Sequence, residues 1–261
     1  MGRLWRVYRA SMVSCIIREL EFRANFIAKI VQALGWVLFY VIIIEVIYQN
    51  VPQVAGWNRA MGLVLGGTVL LNSGTCSVLF PSLLDVADQV RKGTLDFVLT
   101  KPVDTQFSVS LRKIELARFG VTFSGLIMMG FGELHLSRTP TAIDWLAYLI
   151  CLISGIAIYY SLSLFLATLA IYFVRTDNIW VIGEMAMESA RYPADVFPRV
   201  FREIATFGLP VALLSTVPSR ALVFGATWEG IAISLAWGAL SLALSRMFWR
   251  KSMWTYSSAS S

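Results

Sequence analysis

The chain has 261 residues, of which 57% are hydrophobic and only 15% charged, with a formal net charge of +6. A soluble domain carries roughly a quarter charged residues, so this composition excludes a soluble globular protein. The apolar residues are gathered into runs of spanning length. The basic residues flank those runs instead of forming an aromatic-studded polar patch, which excludes nucleic acid and points to anionic lipid.

Residues 1–25 open the chain, and 3–22 read as an amphipathic helix. At about 100° per residue, Arg3, Arg6 and Arg9 fall on one side, and Leu4, Trp5, Tyr8, Met12 and Cys15 on the other. Such a helix lies in the membrane interface, with Trp5 and Tyr8 at headgroup level. A juxtamembrane extension of the first span is the alternative. Arg18, Glu19, Glu21 and Arg23 interrupt any signal-peptide core, so the first span is expected to persist as an anchor.

The first membrane segment is predicted at 26–48, with Glu45 near its far end, and Pro52 and Gly56 break the polar stretch after it. The second, 60–83, is rich in small residues; Gly62 and Gly66 form a GxxxG pair, a weak dimerisation signal. Residues 84–108 are the longest polar stretch between spans. A third segment, 109–131, carries Arg112, Lys113, Glu115 and Arg118 at its start, and a fourth, 143–174, is long enough to tilt or to break near Gly155. Between about 178 and 217 one net crossing is needed. It falls either at 178–192, followed by a re-entrant pair, or at 200–217. The last segment is 228–249. The predicted fold class is all-α integral membrane with six transmembrane helices.

Lysines and arginines fix an expected orientation. With the N-terminus inside, the inside collects Arg3 to Lys29, Arg91, Lys92, Lys101, Arg112, Lys113, Arg175, Arg246, Arg250 and Lys251, against Arg59, Arg138 and Arg220 outside. Both termini and 84–108 are then cytoplasmic. The same rule would keep Arg191, Arg199 and Arg202 inside and favour the later crossing.

Motifs for chemistry are missing. There is no GxxxxGK(S/T), HExxH or GxSxG string, so neither a nucleotide site nor catalysis is expected on this chain. Cys15, Cys76 and Cys151 are scattered with no metal or disulfide spacing, and His135 stands alone in a short turn, so no metal site is expected. Glu45, Glu184 and Glu188 are carboxylates at membrane depth, suited to a transport path or to structural pairing with Arg191 or Arg175. The informative stretch is QVRKGTLDFVLTKP at 89–102. Val86, Val90, Leu95, Phe97, Val98 and Leu99 give short apolar helical faces, and Gly93 and Pro102 punctuate them. A short helix there docks a soluble partner or lies on lipid.

The string RKGTLDFVLTKPVDTQF, 91–107, resembles the signature after the second span in permease subunits of the ABC-2 family of ABC transporters. The series Tyr192–Pro193, Phe197–Pro198, Leu209–Pro210 and Val217–Pro218 is similar to a YP…FP stretch in one branch of that family. The resemblance covers most of the chain. It implies a type V exporter-like fold in a bacterial cytoplasmic (inner) membrane, with re-entrant extracytoplasmic helices within 192–224, against the charge rule. It also implies a complex of two permease subunits and two ATPase subunits. ATP and magnesium would belong to the ATPase, with no cofactor on this chain, and the second permease would be a copy or a relative. A coupling helix would occupy Val86 to Leu99. Val90, Leu95 and Leu99 would touch the ATPase, Arg91 and Lys92 would pair with its acidic residues, and Gly93, Asp96, Lys101 and Pro102 would complete the motif. Two other functions compete. An ion-driven carrier would show internal repeats, and a lipid-modifying enzyme would need a catalytic cluster in the spans; neither feature stands out.

Overall fold

The computed structural model describes residues 9, 12–17, 21, 23–100, 103–173, 179–208 and 210–256. Its helices are α1 (Arg23–Asn50), α2 (Arg59–Leu79), α3 (Val86–Arg91), α4 (Asp96–Leu99), α5 (Thr105–Ser110) and α6 (Phe119–Leu134). They continue with α7 (Ala142–Tyr172), α8 (Ile179–Ser189), α9 (Arg199–Glu203), α10 (Thr216–Val223) and α11 (Trp228–Thr255). Four described helices are long and apolar enough to cross a membrane: Phe26–Asn50, Arg59–Leu79, Ala142–Tyr172 and Trp228–Thr255.

Two helix pairs organise the chain. The first is α2 against α6, joined backbone to backbone. A Cβ at Gly67 would stand 2.6 Å from the Met129 nitrogen and 2.7 Å from the Gly125 oxygen, and one at Gly132 would stand 2.8 Å from the Ala60 oxygen. Only hydrogen fits there, which is how small residues let membrane helices approach closely. The expected GxxxG pair is consumed inside the chain, because the rings of Tyr48 and Tyr40 fill the space over Gly62 and Gly66. Gly67→Leu should force the pair apart at a cost of about 1–3 kcal/mol. A melting temperature of the detergent-purified variant equal to that of the parent would show the seam to be compliant.

The second pair is α7 against α11, with Ser154 beside Gly238 and Phe248 stacked near Phe165 and Tyr172. α7 runs unbroken through Gly155. That glycine instead leaves room for the Asn72 amide and the Leu213 carbonyl. α11 continues to Thr255, past the predicted end at 249. Its 28 residues extend about 42 Å, longer than the roughly 30 Å hydrocarbon layer, enough to span it with tilt or with an end outside it.

The predicted third segment is divided. α5 ends at Ser110, irregular backbone follows, a 3-10 turn spans Leu116–Arg118, and α6 begins at Phe119. The charges explain the break. Lys113 binds Asp85, its backbone N–H donates to Ser82 Oγ at 2.7 Å, and Glu115 accepts from Lys29 at 2.8 Å and from Arg118. A continuous helix would carry all of these through the apolar layer at high cost.

Residues 191–227 correct the charge-rule reading. Asp195 meets Trp57, Arg202 and Arg220, and Ala226 N–H donates to Asp144 Oδ1. Arg202 and Arg220 therefore sit with Arg59 and Arg138, at the end away from 84–108. From that end a buried turn, Val211–Leu214, dips inward. Its Leu214 carbonyl accepts from Asn72 Nδ2 at 3.0 Å, and Ser215 Oγ donates to the Ala190 carbonyl at 2.6 Å. Asn72 lies thirteen positions into α2, about 20 Å from its start. Irregular backbone at such depth is tolerated only where protein satisfies it, and Asn72 and Ser215 do that. α10 then returns to the same end. Among the described residues no single long helix forms over 200–217: α9 has five residues and continues only as a π turn, Ile204–Gly208.

Candidate functional site

The segment between α2 and α6 is built around one buried cluster. Pro81 ends the second span and opens a 3-10 turn, Pro81–Asp85, that leads into α3. Gly93 adopts φ +66, the left-handed turn that a side chain would disfavour. Thr94 and Leu95 N–H then donate to the Gln89 carbonyl at 2.9 and 3.2 Å, folding α4 back on α3. Asp104 caps α5 by accepting from Phe107 N–H at 3.0 Å.

This geometry sorts the predicted contact residues. Val86, Val90, Leu95 and Val98 are buried with Leu83, Val109, Leu164, Ala167 and Trp249. Of Val90, Leu95 and Leu99, expected to touch the ATPase, the first two are therefore corrected: Leu95 is 0% exposed and its side chain anchors the segment to the chain's own core, with Val90 beside it. Phe97, by contrast, is 71% exposed. Leu99 is half-buried beside it, Gly93 supplies the turn, and Lys101 and Pro102 lie outside the described residues. Arg91 and Lys92 are exposed at the end of α3 and both reach Asp88, Lys92 at 3.2 Å. The Lys92 hydrogen bond, then the two positive charges, hold the Asp88 carboxyl below its usual range. Asp96 stands beside Tyr256, whose phenol is raised by burial and by that carboxylate.

The three membrane carboxylates are not brought together. Glu45 pairs with Arg59, tying the end of α1 to the start of α2. Glu188 pairs with Arg191 at 2.8 Å, and that guanidinium lies 5.4 Å from the Tyr40 ring centre. Glu184 is exposed on α8 and has no ion pair among the described residues. Of the predicted interfacial helix, Arg3, Trp5, Arg6 and Tyr8 lie outside the described residues, while Arg9 is helical and exposed. Cys15 is buried, with Sγ 3.9 Å from the Arg112 carbonyl.

Sequence reasoning missed four positions that hold the molecule together. Asp144 accepts from Thr141 N–H and Oγ1 at 2.8 Å each, from Arg138 at 2.6 Å and from Ala226 N–H at 2.8 Å. The Thr-x-x-Asp spacing before an apolar run was its signal. Asn72 is a polar residue inside a span, a pattern that asks for a partner. Asp195 accepts from Trp57 Nε1 at 3.1 Å and from Arg220 at 3.0 Å. Trp249, in the last turns of α11, reaches Thr105.

Residues 34–260 match the family model described as ABC-2 family transporter protein. The chain belongs to this family. No curated protein and no solved structure matches it. As an ABC-2 family member it is a multi-pass membrane protein of transmembrane transport, an ABC transporter permease. Permeases of this family are transport subunits, typically without catalysis of their own, and work with an ABC ATPase. The match takes in both helix pairs and the whole segment between α2 and α6.

Proposed function

We propose that this chain is the permease subunit of an ATP-driven ABC-2 exporter in a bacterial cytoplasmic membrane, with residues 84–108 and both termini on the cytoplasmic side. Two copies of a separate ATPase supply ATP and magnesium chemistry, and a second permease, a copy or a relative, completes the path. The chain crosses six times. α6, antiparallel to α2 along the glycine seam, and α8 with the elements after it add two crossings to the four long helices. In this reading Glu184 and Glu188 face the path, while Glu45 is a structural pair.

The observation that carries the reading is the exposed Phe97, which shares a segment with the exposed Arg91 and Lys92 while Val86, Val90, Leu95 and Val98 are committed to the core. An aromatic knob with a basic rim fits a groove on a soluble partner. Coupling requires that this contact differ between nucleotide states. The count of lysines and arginines supports the orientation, with Arg91, Lys92, Arg112, Lys113, Arg246, Arg250 and Lys251 all assigned to the side that carries the segment.

The test is a pull-down of the tagged, detergent-solubilised chain from its native membrane. An ABC ATPase should accompany the parent chain. Phe97→Asp should lose it, because a central aromatic contact is worth at least about 2 kcal/mol, roughly thirtyfold in affinity. Phe97→Asp should still melt with the parent, since the side chain packs against little. A parent chain that purifies alone and still moves substrate would hand the function to an ion-driven carrier.

A further inference from the structure

The segment 80–110 meets the rest of the chain through two kinds of joint. Its covalent joints are irregular: Phe80 to Asp85 on one side, and Leu111 to Arg118 on the other. These two are fastened to each other by Lys113, through Ser82 and Asp85, and Glu115 N–H donates to the Val78 carbonyl at 3.2 Å. Its packing joints are of another kind, and all lead to α7 and α11. The Tyr160 hydroxyl accepts from Gln106 Nε2 at 3.0 Å and pairs with the Ser110 hydroxyl at 2.8 Å, while its ring lies 4.7 Å from that of Phe80. Trp249, 1% exposed, donates from Nε1 to Thr105 Oγ1 at 3.4 Å, and Arg246 reaches Asp104 at 3.6 Å.

We propose that Trp249 and Tyr160 latch the coupling segment to the ends of α7 and α11, so that a push from the ATPase is delivered to that helix pair as one body. This rests on the permease reading above. A close-packed cluster transmits displacement, whereas breaks at element ends absorb it as hinges. The buried cluster, which includes Leu83 of the first joint, joins the segment to α7 and α11, and the helix breaks at Phe80 and at Leu111 to Arg118 join it to α2 and α6. The helices nearest in sequence are therefore the loosely driven ones, and the far helices are the driven ones. Trp249 is a positioning residue, since it is buried and faces neither the ATPase nor the apolar layer.

The experiment uses the full chain with Cys15, Cys76 and Cys151 replaced by Ala, purified with its ATPase. Spin labels go at Thr100→Cys with Met247→Cys, and at Leu38→Cys with Met247→Cys, all exposed positions. In the parent, the 100–247 distance should be narrow and unchanged by nucleotide–vanadate trapping, while the 38–247 distance shifts. Trp249→Ala should broaden the first and lose the nucleotide shift of the second, with ATPase co-purification and hydrolysis retained. Trp249→Phe, which keeps an aromatic ring in the cluster and loses the N–H, should restore both. If Trp249→Ala does not fold, Tyr160→Ala takes its place, since it removes the ring against Phe80 and the hydrogen bonds to Gln106 and Ser110. A 100–247 distance that moves with nucleotide, that stays narrow in Trp249→Ala, or a 38–247 distance that ignores nucleotide in the parent overturns the latch. If no ATPase accompanies the parent, the permease reading falls instead, and the 100–247 width in parent and Trp249→Ala still decides whether the latch exists.

Discussion

Asp144→Ala is expected to lower the melting temperature of the purified chain more than the loss of any other described carboxylate. Asp144 is 3% exposed and its two oxygens accept four hydrogen bonds, from Thr141 twice, Arg138 and Ala226. It thus closes the capping box of α7 and pins the turn between α10 and α11 to the same point. Removing it costs the cap, about 1 kcal/mol, and strands donors that bound a charge, about 1.5–3 kcal/mol each where water cannot replace the bond. Arg138 is partly exposed and recovers water, so the total is on the order of 3 kcal/mol. Asp144→Asn keeps one carbonyl oxygen and should fall between parent and Asp144→Ala. Equal melting of all three chains would mean that the outer turns are held by the apolar packing of Trp57, Tyr148 and Leu222 alone.

The contrast between this residue and the coupling segment shows what a sequence can and cannot carry. The long apolar runs of α1, α2, α7 and α11 were legible because a span is a property of composition along the chain. The family was legible from a local string, Arg91 to Phe107, because a turn glycine at Gly93 and a capping aspartate at Asp104 act over a few residues. The directions of Leu95 and Phe97 were not legible. They are two positions apart in an apolar stretch, and only the presence of Leu164 and Trp249, from distant parts of the chain, decides which one is buried. The charge rule misplaced Arg202 for the same reason. Its partner Asp195 is close in sequence, but the anchors of Asp195 are Trp57 and Arg220. The rule counts lysines and arginines along the chain and cannot see to which end a tertiary contact carries them. Asn72 was visible as an oddity in a span, yet the inward-dipping carbonyl of Leu214 that it satisfies lies far along the chain.

Leu95→Asp should disrupt the coupling segment itself, in contrast to Phe97→Asp, which should disrupt only what binds to it. Leu95 is fully buried against Leu83, Val86, Leu164 and Trp249. Truncation there to Ala already costs about 2–5 kcal/mol, and a carboxylate among these apolar side chains adds several kcal/mol of desolvation. The neighbouring Asp96 carboxylate makes the new charge costlier still. That sum is comparable to the whole stability of a small folded unit, so 86–109 should detach from α7 and α11. Limited proteolysis would read this as new cleavage at Arg91 and Lys92, with α2 and α6 still paired through Gly67 and Gly125. Loss of a co-purifying ATPase in Leu95→Asp alone would therefore say little about docking. The informative outcome is the pair of variants together. Phe97→Asp should be protease-resistant and ATPase-free, and Leu95→Asp should be protease-sensitive and ATPase-free. A Leu95→Asp chain that resists protease as the parent does would mean that the segment is not anchored through Leu95, and the division of its apolar residues into anchors and a presenting aromatic would have to be abandoned.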